Sequence, residues 1–168
     1  MTGAAVNASP LIFLARLGRL QALGLYRPLL TTDEVLREVK AGAQRGFPGW
    51  VPVSRAVDEG ALEARRADLR PIEGFILDPG ELSVLRLAAN EGLATVVVDD
   101  LAAIRAARHL GLSARSTPFV LLENVAAGRL SAAEFRACLS RLLVEGYHLS
   151  APLYGLLLEA LDGLPPRP

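Results

Sequence analysis

Cysteine is almost absent: the 168 residues include one, Cys138, so no intrachain disulfide framework braces the chain. Cys138 sits in a leucine-rich helical pattern and reads as a small core residue. No apolar run reaches the ~18 uncharged residues that a membrane span needs. The first residues lack the basic flank and continuous apolar run of a signal peptide, so the expectation is a cytoplasmic protein with no membrane partner. Net charge is missing too, with 18 Lys+Arg against 18 Asp+Glu. That excludes coating of nucleic acid through bulk charge, though not a local patch. Lysine is reduced to Lys40, and the arginine excess reads first as a coding bias toward Arg, Ala and Leu, although Arg also suits forked contacts to phosphate. His109 and His148 stand apart, and no Cys/His cluster exists for zinc. There is no P-loop and no G-x-G-x-x-G, and Ser9 and Ser83 have no histidine base nearby in the sequence, which argues against a nucleotide fingerprint and a serine hydrolase.

What is present is an alternation of strand and helix. Hydrophobic residues make up 51%, enough at this length for one domain with a core. In "AAVNASPLIFLARLG", residues 4–7 read as a short buried strand. Ser9-Pro10 then opens a helix to Leu17, because Ser caps and Pro fits the first helical position. Residues 27–30 are a second candidate strand. "TTDEVLREVKAG" reads as a helix opened by a Thr31/Glu34 capping box and closed by Gly42. Residues 41–49 read as a glycine-rich loop, "WVPVS" as a strand or extended segment, and 56–70 as charged and weakly helical. "LDPGELSVLRLAANEG" is a helix with Asp78 as cap, Pro79 first, Glu81 third and Gly92 at its exit. "LATVVVDD" is the clearest strand, continuously apolar and β-branched like a parallel strand buried on both faces. Asp99 and Asp100 hand it over to the helix "LAAIRAARHLG". An extended piece at 113–116 precedes helices near 118–127, 131–144 and 151–161. The expected fold is α/β with a mainly parallel sheet and right-handed crossovers, as one domain over 1–162 with a frayed tail at 163–168.

Polar residues fall at telling places in this pattern. Asn7, Glu81 and the Asp99-Asp100 pair lie at strand-to-helix junctions or in first helical turns, and Glu38 lies inside a helix. In open α/β sheets the carboxyl edge is where ligands bind. Each residue also has a plain structural role open to it. Asp99 or Asp100 caps a helix, Glu81 completes a capping box, and Glu38 is a solvated helix residue. At about 100° per residue, however, Glu81 falls inside the stripe of Leu82, Leu85, Ala88 and Ala89. A carboxylate facing the core must be paired, protonated or metal-bound. Val35, Leu36 and Val39 mark the inner face of the earlier helix, with Glu38 on its flank and Glu34 farther round toward solvent. Up to four carboxylates converging at a sheet edge would suit Mg²⁺ or Mn²⁺, which activate water and offset charge on a phosphodiester.

In order and spacing, "NASPLIFLARLGRLQAL", "TTDEVLREV", "LDPGELSVLRLA", "VVVDDLAAIRAARHLGL" and "EGYHLSAPLYGLLLEAL" resemble the PIN-domain superfamily, more narrowly a branch of predicted nucleic-acid-binding proteins akin to VapC toxins. The resemblance runs from Val6 to about Leu161. It implies a three-layer α/β/α PIN-like domain over 1–162 and a ribonuclease that hydrolyses phosphodiesters with Mg²⁺ or Mn²⁺. The implied metal and catalytic residues are Asn7, Glu38, Glu81 and one or both of Asp99 and Asp100. Asn7 is the departure, standing where the superfamily usually has its first Asp. An amide oxygen still ligates, but it neither neutralises a dication nor acts as a base, so the implied cleavage is weak or lost. RNA is the implied partner, with a homodimer and an antitoxin protein as further ones. Arg16, Arg55 and Arg105 are candidates for holding phosphates, and each also reads as an ordinary solvated charge. The rival expectation is a catalytically degenerate PIN-like binding module, the toxin-like half of a toxin–antitoxin pair, with leucine-rich helices at 9–17 and 151–161 for an interface. A phosphatase- or receiver-like acid pocket is a third reading. Asn7 removes its first candidate nucleophile, and no matching lysine is evident.

Overall fold

Small and β-branched apolar residues set the centre of the sheet. Strands β1 (Ala4–Val6) and β4 (Thr95–Val97) are buried along their whole length and pair in parallel, Ala4 opposite Thr95 and Val6 opposite Val97. A strand covered on both faces has no solvent side, so its sequence shows no polar alternation. The computed structural model describes residues 3–46 and 48–165. Its five strands, completed by β2 (Leu29–Thr32), β3 (Glu63–Arg65) and β5 (Ser113–Arg115), are all parallel in the order β3-β2-β1-β4-β5, with helices on both sides. The expected three-layer α/β/α class is borne out. Phe47 in the expected 41–49 loop and residues 166–168 of the expected tail lie outside the described residues.

The chain divides into two compact units, residues 1–117 and 118–168. The first holds the sheet with helices α1 (Ala8–Arg16), α2 (Asp33–Gln44), α3 (Trp50–Asp58), α4 (Pro79–Asn90) and α5 (Leu101–His109). From β1 the chain builds outward to β2 and β3, then returns to lay β4 on the other side of β1. The β1/β4 junction is therefore the switch point, where open α/β sheets form their ligand crevice. Asn7 follows β1 and Asp99-Asp100 follow β4, so both stand at its mouth. The second unit begins within α6 (Thr117–Ala126) and contains α7 (Ala132–Val144) and α8 (Ala151–Asp162). A Ser131/Glu134 capping box starts α7, whose Phe135, Cys138, Leu139 and Leu142 are buried.

Several local expectations are corrected. "WVPVS" is the start of α3, not a strand. Pro52 is tolerated in a first helical turn and disfavoured inside a strand. Val51, Pro52, Arg55, Ala56 and Glu59 then share one helical face along a single cavity. The charged stretch 56–70, read as weakly helical, is helical only as far as Asp58 and then supplies β3. It is an edge strand, held through its backbone to β2 and anchored by buried Leu62. The cap of α2 is Thr32, whose Oγ1 accepts from Val35 N at 3.2 Å, while Thr31 Oγ1 donates to Val6 O at 2.9 Å. Helix α2 continues through Gly42 to Gln44. Glu34 does not face solvent: its side chain is 17% exposed, with Oε1 3.3 Å from Arg37 Nη2 and Oε2 buried. Finally, Asn7 rather than Ser9 is the cap position of α1, and it makes no side-chain cap bond.

Candidate functional site

Gly80 is the point on which the polar groups converge. It is buried in the first turn of α4. A Cβ placed on it would stand 2.7 Å from Glu38 Oε2, 3.3 Å from Asn7 Oδ1 and 3.3 Å from Asp78 Oδ1. Three oxygens from α2, the end of β1 and the cap of α4 thus surround one small space. A side-chain relay fixes their relative positions. Ser83 Oγ donates to Gly80 O at 2.8 Å, which commits its proton. Thr32 Oγ1 therefore donates to Ser83 Oγ, 2.7 Å away, while accepting from Val35 N. The start of α2 is tied to the start of α4 through two buried hydroxyls.

Asn7 is 6% exposed, and its Oδ1 is buried without a hydrogen-bond partner. Glu38 lies on the α2 flank. Partial burial raises its pKa above the ordinary 4.5, Asp78 adds to the rise, and Arg45, two turns along the same flank, opposes it. Glu81 completes a capping box: Glu81 N donates to Asp78 Oδ1 at 2.7 Å, and Asp78 N donates to Glu81 Oε2 at 3.0 Å. Burial lifts its pKa to about 7. The hydrogen bond from Asp78 N works against the rise, and the charges of Asp78, Asp100 and Glu38 add to it.

The adjacent aspartates differ. Asp99 Oδ1 accepts from Thr117 N at 2.7 Å, and its Oδ2 accepts from Ser9 Oγ at 3.0 Å and Thr117 Oγ1 at 2.7 Å. Asp100 caps α5 through Oδ1, which accepts from Ala102 N and Ala103 N, and its charge reaches Glu81. Of the expected residues, Asn7 and Glu38 meet at Gly80, Glu81 and Asp100 act on each other electrostatically, and Asp99 is a clamp between the start of α1 and Thr117.

Sequence reading missed Asp78 as more than a cap, Gly80 as the space, and Arg45 as the cation whose field reaches Glu38. The signal was "DPGE", which puts an acid, a residue without a side chain and a second acid on one turn. Among the candidate arginines, Arg55 lines a cavity of about 460 Å³ beside Leu29 and Leu62, which lie at the amino ends of β2 and β3. That is the opposite edge of the sheet from the acids. Arg16, nine residues past Asn7, stands about 13 Å away along α1. Arg105 is exposed on α5, little more than one turn beyond Asp100.

A five-stranded parallel α/β sheet with acids gathered at the carboxyl ends of its central strands is the arrangement of a PIN-like fold. Residues 4–162 match the DUF3368 family of PIN domains, and the chain belongs to that family, as its motifs lead one to expect. No curated protein and no solved structure matches the chain. PIN domains generally use divalent metal ions and commonly bind nucleic acids. No helix among the described residues is long and apolar enough to cross a membrane.

The residues present fit such an ion. All the donors are hard oxygens, one buried oxygen lacks a partner, and three of them lie 2.7–3.3 Å from where a Gly80 Cβ would stand. A cation draws in the oxygens that a methyl would repel. Among the described residues no three Asp, Glu, His or Cys side chains form a ready metal cluster. The oxygens at Gly80 differ from such a cluster in that one of the three is an amide.

Proposed function

We propose that this PIN domain hydrolyses phosphodiester bonds in RNA with a bound Mg²⁺ or Mn²⁺, at a rate reduced by the missing charge at Asn7. The observation that supports this reading is the buried, unpartnered Oδ1 of Asn7 beside Glu38. Leaving such an acceptor unsatisfied costs about 1–3 kcal/mol, and a cation relieves that cost. When bound, the ion supplies a water of lowered pKa and charge to offset that of the phosphodiester. Glu38, Glu81 and Asp100 provide the negative field that attracts it. Asp99, just past β4, ties that strand end to the start of α1 through Ser9 and to Thr117. Glu81, with a pKa of about 7, takes up or releases a proton at its carboxylate near neutral pH. Of the three candidate arginines, Arg105 lies nearest along its helix to a site residue, five residues beyond Asp100 on α5.

Calorimetric titration of Mn²⁺ into metal-free protein, beside cleavage assays on single-stranded and structured RNA, tests this. Wild type is expected to bind Mn²⁺ and cleave slowly, and Glu38→Gln to lose both. Absence of both in wild type overturns the reading. Mn²⁺ binding without cleavage favours the second reading, a degenerate binding module that serves as the toxin-like half of a toxin–antitoxin pair. The observation behind that reading is that no three carboxylates form a cluster among the described residues.

A further inference from the structure

Asp78, the cap of α4, also borders the space at Gly80. Asp78 Oδ1 lies as close to the Gly80 space as Asn7 Oδ1 does, both 3.3 Å from a Cβ placed there. That oxygen also accepts from Glu81 N, but Asp78 Oδ2 carries no hydrogen bond among the described residues. A carboxylate offers about four acceptor positions, so capping the helix leaves most of its capacity unused. Glu81 closes the same capping box, its Oε2 accepting from Asp78 N. Asn7, 6% exposed with its Oδ1 unpartnered, points into the same space and is the independent sign that a ligand belongs there.

We propose that Asp78 is a metal-ligating residue of this site, standing in for the charge that Asn7 lacks. With Glu38 and the Asn7 amide it completes a three-oxygen cradle around Gly80. A Cβ there would meet Glu38 Oε2 at 2.7 Å and push that carboxylate out of the cradle. Where the end of β1 supplies an amide, the cap of α4 supplies a carboxylate. This assignment rests on the metal-dependent reading above.

Mn²⁺ titration of the metal-free full chain by calorimetry tests it without reading activity. Asp78→Asn keeps an equally good cap, and Glu81→Gln keeps the capping box, so both variants remove charge with little change to the helix. Asp78→Asn is expected to weaken Mn²⁺ binding by roughly 10- to 100-fold, the range seen when a metal's supporting groups are removed, and Glu81→Gln by less. Adding Asn7→Asp to Asp78→Asn returns one charge to the cradle and is expected to restore most of the lost affinity. Should Asp78→Asn fail to fold, Gly80→Ala carries the same test, with weaker Mn²⁺ binding expected at an undiminished metal-free melting temperature. If wild type binds Mn²⁺ and Asp78→Asn binds it equally well, or Glu81→Gln is the weaker of the two, the assignment of Asp78 is overturned while the metal-dependent reading stands. If wild type binds no Mn²⁺, both fall.

Discussion

The two edges of one sheet do opposite things. At the amino edge, Leu11, Leu23, Leu29 and Leu62 border an apolar cavity of about 460 Å³, and Leu11, Leu23 and Leu62 are each at most 1% exposed. At the carboxyl edge the same strands end in Asn7 and Thr32, and beside them stand Glu38, Asp78, Glu81 and Asp100. The first edge removes apolar surface from water and stabilises the fold. The second gathers like charges around an unsatisfied amide, which opposes folding until something positive binds. Stability and chemistry are separated along the strand axis, so each edge can be perturbed without the other.

The largest effect is expected at the apolar edge. Leu62→Ala removes a side chain that is 1% exposed and should cost about 2–5 kcal/mol in urea unfolding. Its Mn²⁺ affinity, measured on the folded fraction, should not change; a change would show that the edges are coupled.

Asn7→Asp sharpens the contrast from the other side. Asn and Asp are nearly equal in size, so packing changes little while a charge is added to the cluster. The variant should melt lower than wild type in EDTA and bind Mn²⁺ on the order of tenfold to a thousandfold more tightly, since unit charges ~4 Å apart interact by about 4 kcal/mol at an effective dielectric near 20 before desolvation offsets most of it. Equal Mn²⁺ affinity would mean that residue 7 serves only as a structural group.

Ser83→Ala cuts the relay between α2 and α4, leaving Thr32 Oγ1 and Gly80 O each short of a partner. A loss of about 1–3 kcal/mol is expected, with a few-fold weaker Mn²⁺ binding because Glu38 is no longer held against Gly80. Thermal unfolding and calorimetry on one preparation check both.

The mildest perturbation is pH. Glu81 has its pKa raised from 4.5 to about 7, so the folded state holds this proton more tightly than the unfolded chain does. That contribution to stability is complete below pH 4.5 and is lost as pH rises through about 7. Metal-free wild type should therefore lose stability across this window, and Glu81→Gln should show a flatter profile. A parallel decline in Glu81→Gln would place the titration elsewhere.

Much of the apolar frame was legible without coordinates. "LATVVVDD" could be read as a doubly buried parallel strand because continuous β-branched residues have few other uses at that length. "LDPGEL" announced its helix through three independent start signals. β3 was not legible: "EAR" carries no strand preference, and its pairing comes from β2 alongside it. The α3 segment misled because a five-residue apolar run fits either period until a neighbouring surface selects one.

The candidate site divides in the same way. Its acids stood out one by one, since each sits where the chain changes from strand to helix, but their partners did not. Asp99 and Asp100 are adjacent, and nothing local distinguishes them. Asp99 is taken up by Ser9, 90 residues earlier, and Thr117, 18 residues later. The sequence by itself determined the parallel α/β class, the carboxyl edge as the polar edge and an amide rather than a carboxylate at residue 7, because residue identity, burial pattern and capping chemistry are properties of a few residues. Only the tertiary structure decided that Asp99 clamps, that Asp78 joins Glu38 and Asn7, and that Gly80 holds open the space between them. Those outcomes depend on where separate elements aim their side chains after packing, and side-chain direction across elements is not a local property of the chain.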